Sequence, residues 1–187
     1  MVFLLATCLV LMTSAALGSI VDPAGLGTCY PCICNSDKTS VDCSGRGLTE
    51  LPEGFGSQVQ KLNLSNNDFS VFPVNLFNLN HLVNLDLSGN RLSELTEDAL
   101  QNLTALEVLN LSKNYFEDWL SLSPNKFLQP ATNLKVLNLS YNNFKTMGNL
   151  ANQELIFSTS LETLILENCG IVSIHGRSPL AGVTKIR

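Results

Sequence analysis

The sequence is poor in most of what surface chemistry requires. Charged side chains make up only 14% of its 187 residues, about half the usual share. There are two histidines and one tryptophan, the net charge is -5, and no run of Lys or Arg exceeds one residue. A nucleic-acid surface needs clustered cations, so the acidic balance argues against that partner class. With two distant histidines and no Gly-rich phosphate loop, the chain also lacks most parts of a hydrolase or nucleotide enzyme. No stretch after the amino terminus is apolar enough to cross a membrane as a helix, which takes about 20 residues. What is abundant is narrow: 34 Leu and 20 Asn, a pairing that suggests a repeat.

Residues 1–18 form the first distinct segment. They hold no charged side chain and carry an apolar stretch from Val2 to Met12, then small residues ending in Ala16-Leu17-Gly18. Ala and Gly at the third and first positions before a cut fit removal of a secretory signal peptide after Gly18. The departure from that pattern is the missing Lys or Arg near the start. The competing reading is a buried amino-terminal helix or anchor, for which the apolar stretch is short. A brief mature segment, 19–28, follows.

Removing that segment removes Cys8 and leaves Cys29, Cys32, Cys34 and Cys43 within fifteen residues, plus a distant Cys169. In an oxidising compartment such density reads as a disulfide knot, against zinc as the alternative. Four cysteines allow three pairings, and the sequence alone does not choose.

From residue 59 the chain repeats itself five times. An apolar residue is followed at fixed spacing by Leu-x-Leu, then an Asn, then another apolar residue, beginning at Val59, Leu82, Leu106, Leu134 and Leu161. The starts are 23, 24, 28 and 27 residues apart, and periods of this size mark a solenoid. Leu-x-Leu has the period of a strand with one buried face. A further column, Phe72, Leu95, Trp119, Met147 and Ile174, closes the inside of each coil. Segments such as 76–79 and 99–103 read as helical or 3-10 turns on the outer side. The Asn column is Asn67, Asn90, Asn114 and Asn142, with Cys169 in the fifth slot. An amide both donates and accepts where the chain leaves the strand, so stacked copies form a ladder. One repeat cannot bury enough surface alone, so each needs its neighbours and each end needs a cap.

These residues resemble the extracellular leucine-rich-repeat family over about residues 29–186. The resemblance implies an α/β solenoid, a horseshoe with a parallel concave sheet, a convex side of short helical, 3-10 or loop segments, and a disulfide-knotted amino-terminal cap. Residues 29–58 look like that cap, the pairing it implies is Cys29 with Cys34 and Cys32 with Cys43, and Cys169 is then an accepted substitute for Asn. Residues 59–182 are the five repeats. Residues 183–187 have the spacing of a sixth strand, so the expectation is a truncated product, a gene fragment, or the amino-terminal part of a longer protein.

Binding chemistry is expected on the concave strands, with Lys61, Asn84, Asp86, Glu107, Lys135, Tyr141 and Glu162 as candidates. Four acceptor triads for N-linked sugar begin at Asn63, Asn102, Asn110 and Asn138. Three of them coincide with Leu-Asn-Leu-Ser, which is also a common filling of the repeat. His81 and His175 have no partner at metal spacing and read as surface residues; Trp119 reads as core. The pairs Glu97-Asp98 and Glu117-Asp118 read as solvated loop charge. Insertions near 121–125 and 148–152 lengthen outer loops of repeats three and four. The expected function is an extracellular recognition module for a protein or glycan, without catalysis, cofactor or metal, in a receptor or adhesion protein. The alternative is a secreted matrix protein similar to the small leucine-rich proteoglycans.

Overall fold

The computed structural model describes residues 29–117, 127–144, 160–171 and 185–186. The proposed leader, Trp119, Met147, Ile174, His175 and both insertions lie outside these residues. Among the described residues, eight short strands form one sheet in sequence order. They are β1 (Ile33–Cys34), β2 (Ser40–Asp42), β3 (Lys61–Asn63), β4 (Asn84–Asp86), β5 (Val108–Asn110), β6 (Val136–Asn138), β7 (Thr163–Ile165) and β8 (Lys185–Ile186). Strand β1 is antiparallel to β2, and every later pairing is parallel. The register never slips: Val41, Leu62, Leu85, Leu109, Leu137 and Leu164 stand side by side. Ile186 continues that row beside Leu164.

A strict period of two within each strand produces this. The middle residue of β2 to β7 points inward and is buried, and so is the residue just after β2 to β6, from Cys43 through Leu64, Leu87, Leu111 and Leu139, whereas Leu166 after β7 is partly buried. The first and third residues of β4 to β7 face outward and are half-buried. Phe69, Leu92, Phe116 and Phe144 fill the next inward position and are fully buried. Phe116 and Phe144 stack on each other, centroids 6.5 Å apart and ring planes 7° apart. Phe72 and Leu95 close the coil beyond them.

The outer side differs between coils. Val74–Asn78 is a 3-10 helix, whereas 97–102 is a run of turns rather than a helix. Asn102 there has φ +68°, a left-handed conformation that ends helical winding and that Asn tolerates. The buried residues Leu100 and Leu103 hold this arc against the core.

The amino-terminal cap is itself a coil of the solenoid. Val41 and Cys43 take the two inward strand positions, and Leu51 matches Phe72 in burial. Cys29 is bonded to Cys34, and Cys32 to Cys43. Cys43 is fully buried where later coils carry Leu. The cap thus replaces burial on its missing amino-terminal side with a covalent link, in the way small disulfide-rich modules compensate for a limited core.

Candidate functional site

Three columns of side chains run from coil to coil, one inside the solenoid and two on the concave strands, and their geometry separates positions committed to the fold from positions left for a partner. The first committed column is the ladder. Asn67 Nδ2 donates to the carbonyl oxygens of Cys43 and Leu64, both at 2.9 Å. Asn90 Nδ2 reaches Leu64 and Leu87, Asn114 reaches Leu87 and Leu111, and Asn142 reaches Leu111 and Leu139. The Leu64, Leu87 and Leu111 carbonyls therefore each take two ladder amides. On the other side of each amide, Oδ1 accepts a backbone N–H from the preceding coil: Leu48 to Asn67, Phe69 to Asn90, Leu92 to Asn114 and Phe116 to Asn142. All four amides are buried. Leaving such buried backbone groups unmatched costs about 1–3 kcal/mol each, which is why the column is polar inside an apolar coil.

Cys169 completes the series with different chemistry. Its Sγ donates to the Leu139 carbonyl at 3.1 Å, so Leu139 is bridged by Asn142 and Cys169 as its counterparts are by two amides. The thiol is buried, and that burial pushes its pKa up, opposite to the shift a nucleophilic cysteine requires.

The second committed column faces outward, as its place in the strand predicts, but its side chains serve turns that the strand pattern does not show. At the third strand residue, Asp42, Asn63, Asp86, Asn110 and Asn138 each accept, through Oδ1, the backbone N–H two residues on, at 2.8–3.2 Å. The acceptors' donors are Ser44, Ser65, Ser88, Ser112 and Ser140. These Asx turns bend the chain out of the strand. The signal was present as a repeated Asx-x-Ser, but it overlapped the sugar-acceptor triads and was read as such. For Asp42, the N–H of Ser44 holds the carboxyl below the usual carboxylate range. In the fifth coil Ile165 ends the column, and the N–H of Glu167 goes to Ser140 Oγ instead.

One residue past each of these Ser residues, and past Glu167 in the fifth coil, the backbone is left-handed. Gly45, Asn66, Gly89, Lys113, Tyr141 and Asn168 all have φ between +52° and +66°. A Cβ on Gly89 would lie 2.5 Å from Asn66 Oδ1. Tyr141 is held in this column at the rim, exposed, with Lys113 Nζ 5.6 Å from its ring centroid.

The first strand residue is different. Lys61, Asn84, Val108, Val136 and Thr163 lie in one row, neighbours on successive strands. Their side chains face outward, and none takes part in the ladder or the Asx turns. Beneath the first of them, with Ser40, Asp42, Asn63 and Asp86, lies an open hollow of about 410 Å³. Glu107 and Lys135, just ahead of β5 and β6, pair with each other at 2.9 Å in an exposed position, and Glu162 occupies the same place ahead of β7. Asp86 is less available than the sequence suggests, because its second oxygen takes Asn110 Nδ2 at 3.1 Å. His81 is exposed, with Nδ1 3.0 Å from the Ser57 carbonyl. Glu97 and Asp98 are exposed on the convex side, beside Gln101, Gln129 and Pro130. Among the described residues no three His, Cys, Asp or Glu converge as a metal site, and no helix is long and apolar enough to cross a membrane.

Family profiles for the leucine-rich repeat match residues 57–116 and 133–153. Leucine-rich repeat-containing G-protein coupled receptor 5A of Xenopus laevis is 41% identical over 87 residues, which is 45% of the chain and 10% of the receptor. Human oligodendrocyte-myelin glycoprotein is 38% identical over 79 residues, 42% of the chain and 18% of that protein. Among solved structures, a TLR13–ssRNA13 complex superposes with TM-score 0.53 at 30% identity, over 70% of the chain and 18% of TLR13. The chain therefore spans under a fifth of each of these three proteins.

Proposed function

Because the chain belongs to the leucine-rich-repeat proteins, with a cysteine-rich cap ahead of its first repeat, we propose that it is a non-enzymatic extracellular recognition module of a cell-surface receptor or adhesion protein. Its disulfides and its receptor and glycoprotein relatives support the extracellular setting. The observation that carries the reading is the row Lys61, Asn84, Val108, Val136 and Thr163. It is the one outward strand column that the internal hydrogen-bond scheme does not consume, and the in-register sheet holds it rigidly.

A protein fits this row better than a glycan. Val108 and Val136 give it a half-buried apolar centre, and the row offers no aromatic ring for stacking a sugar. Tyr141 and Tyr115 are exposed past the strand ends of the same coils, where amphipathic rings add contact area for a protein. Although the TLR13 structure is an RNA complex, this face carries Asp42, Asp86 and Glu107 beside Lys61 and Lys135, and Lys135 is already paired. A phosphate backbone would meet no track of free cations there.

The test is a screen of the multimerised full chain against an array of extracellular ectodomains, repeated with Val136→Glu and with Gln101→Glu on the convex side. The expected result is a binder whose affinity falls at least about tenfold with Val136→Glu, a loss of about 1.4 kcal/mol. Gln101→Glu should leave it unchanged. A binder lost with Gln101→Glu and kept with Val136→Glu would move the site to the convex side.

A further inference from the structure

Two sugar-acceptor triads stand eight positions apart, one closing the second coil and one on the strand of the third, in opposite structural circumstances. Asn110-Leu111-Ser112 lies on the concave strand. Asn110 Oδ1 takes the N–H of Ser112, and its Nδ2, the atom a glycan would occupy, donates to Asp86 Oδ2 at 3.1 Å. Ser112 is buried. Asn110 also stands in register beside Asn138, with adjacent strands about 4.8 Å apart. Asn102-Leu103-Thr104 is on the convex arc. Asn102 and Thr104 are both exposed, on either side of the buried Leu103 that anchors the turn.

The concave triads also have a structural explanation. The third strand residue is Asp in two of its five Asx turns, at Asp42 and Asp86, and Asp cannot carry an N-linked sugar. What that column requires is an acceptor oxygen, so its Asn-Leu-Ser triads follow from the fold. No Asx turn of that column accounts for Asn102.

We infer that Asn102 is an N-glycosylation site, whereas Asn110 is left bare. The inference rests on the extracellular reading above and adds where the sugar sits. In the transfer, a polyprenyl-diphosphate-linked oligosaccharide supplies the glycan. Nδ2 of Asn102 loses one proton and bonds to the sugar C1, while the bond from C1 to the diphosphate oxygen breaks and the lipid diphosphate departs. A glycan at Asn102 projects from the convex arc and leaves the concave row open.

The test uses the full chain in secreting animal cells, once with its own leader and once with a heterologous leader in front. Enzymatic glycan release in heavy-oxygen water marks each formerly occupied Asn, and peptide mass spectrometry reads the four sites. Asn102 should be marked in most copies and Asn110 in essentially none. Asn102→Gln should lose the mass of one glycan, and Asn110→Gln should keep the wild-type glycan mass. Occupancy at Asn110 equal to that at Asn102, or an empty Asn102 on a secreted chain, would overturn the assignment. Occupancy of Asn102 with the heterologous leader only would uphold the site and count against the chain's own route outside the cell.

Discussion

The first four repeat coils and the fifth solve one problem with different side chains. In coils one to four a buried Asn bridges two carbonyls and accepts a backbone N–H, while an Asn or Asp at the third strand residue fixes the exit turn. In the fifth, Ile165 and Cys169 stand in those places, and the thiol keeps the bond to the carbonyl of the coil before it. A thiol is a weak donor and a weaker acceptor. The donor half of the ladder is thus preserved, a weakly accepting sulfur replaces the amide oxygen, and the Asx turn is given up. The bond common to all five coils is the donation to a carbonyl of the coil before, and it leaves the Leu64, Leu87, Leu111 and Leu139 carbonyls each shared by two ladder side chains.

The largest effect should come from breaking the ladder at its centre. Asn114→Ala removes the donor to Leu87 and Leu111 and leaves the buried Leu92 N–H without its acceptor. The expected loss is about 3 kcal/mol, read as a lower urea midpoint at unchanged slope. Cys169→Ala deletes the weak sulfur bonds to the Leu139 and Glu167 carbonyls and a small buried volume, so it should cost only about 1 kcal/mol. If the two variants lost equal stability, the contrast between the coils would have no energetic content.

The smallest effect concerns acid. The carboxyl of Asp42 is held below its ordinary value of 3.8, first by the Ser44 N–H, so the ionised form is favoured by folding. Its contribution is present above about pH 4 and is lost as pH falls through the lower, folded value. Asp42→Asn keeps an acceptor for Ser44 and removes the charge. It should therefore flatten the acid limb of a stability-against-pH curve slightly, by losing at pH 7 the small contribution that the wild type loses in acid, as followed by urea titrations at several pH values.

Much of this arrangement was legible in the residues, and the parts that were not have identifiable reasons. Val59, Leu62, Leu64, Asn67 and Phe69 recur with a spacing that fixes the inward positions, because a strand has only two faces and only one is buried. The Asx turns escaped notice because Asn-Leu-Ser carries two meanings, a backbone bond and a sugar acceptor. The left-handed column escaped notice because only Gly45 and Gly89 advertise it, while Lys113 and Tyr141 adopt it under the constraint of their neighbours. The cap's role as a coil was hidden because Cys43 stands where the pattern has Leu.

The sequence by itself determined the solenoid, the ladder and the cysteine cap, since each follows from periodicity or local density along the chain. Which outward residues remain for a partner was decided only by the tertiary structure. Lys61, Asp86 and Asn110 look equivalent in the sequence, as polar residues flanking Leu. Once the coils stack about 4.8 Å apart, Asp86 and Asn110 are consumed by bonds to the backbone and to each other, whereas Lys61 is left facing the concave hollow. That distinction depends on neighbours some two dozen residues away, which a local pattern does not contain.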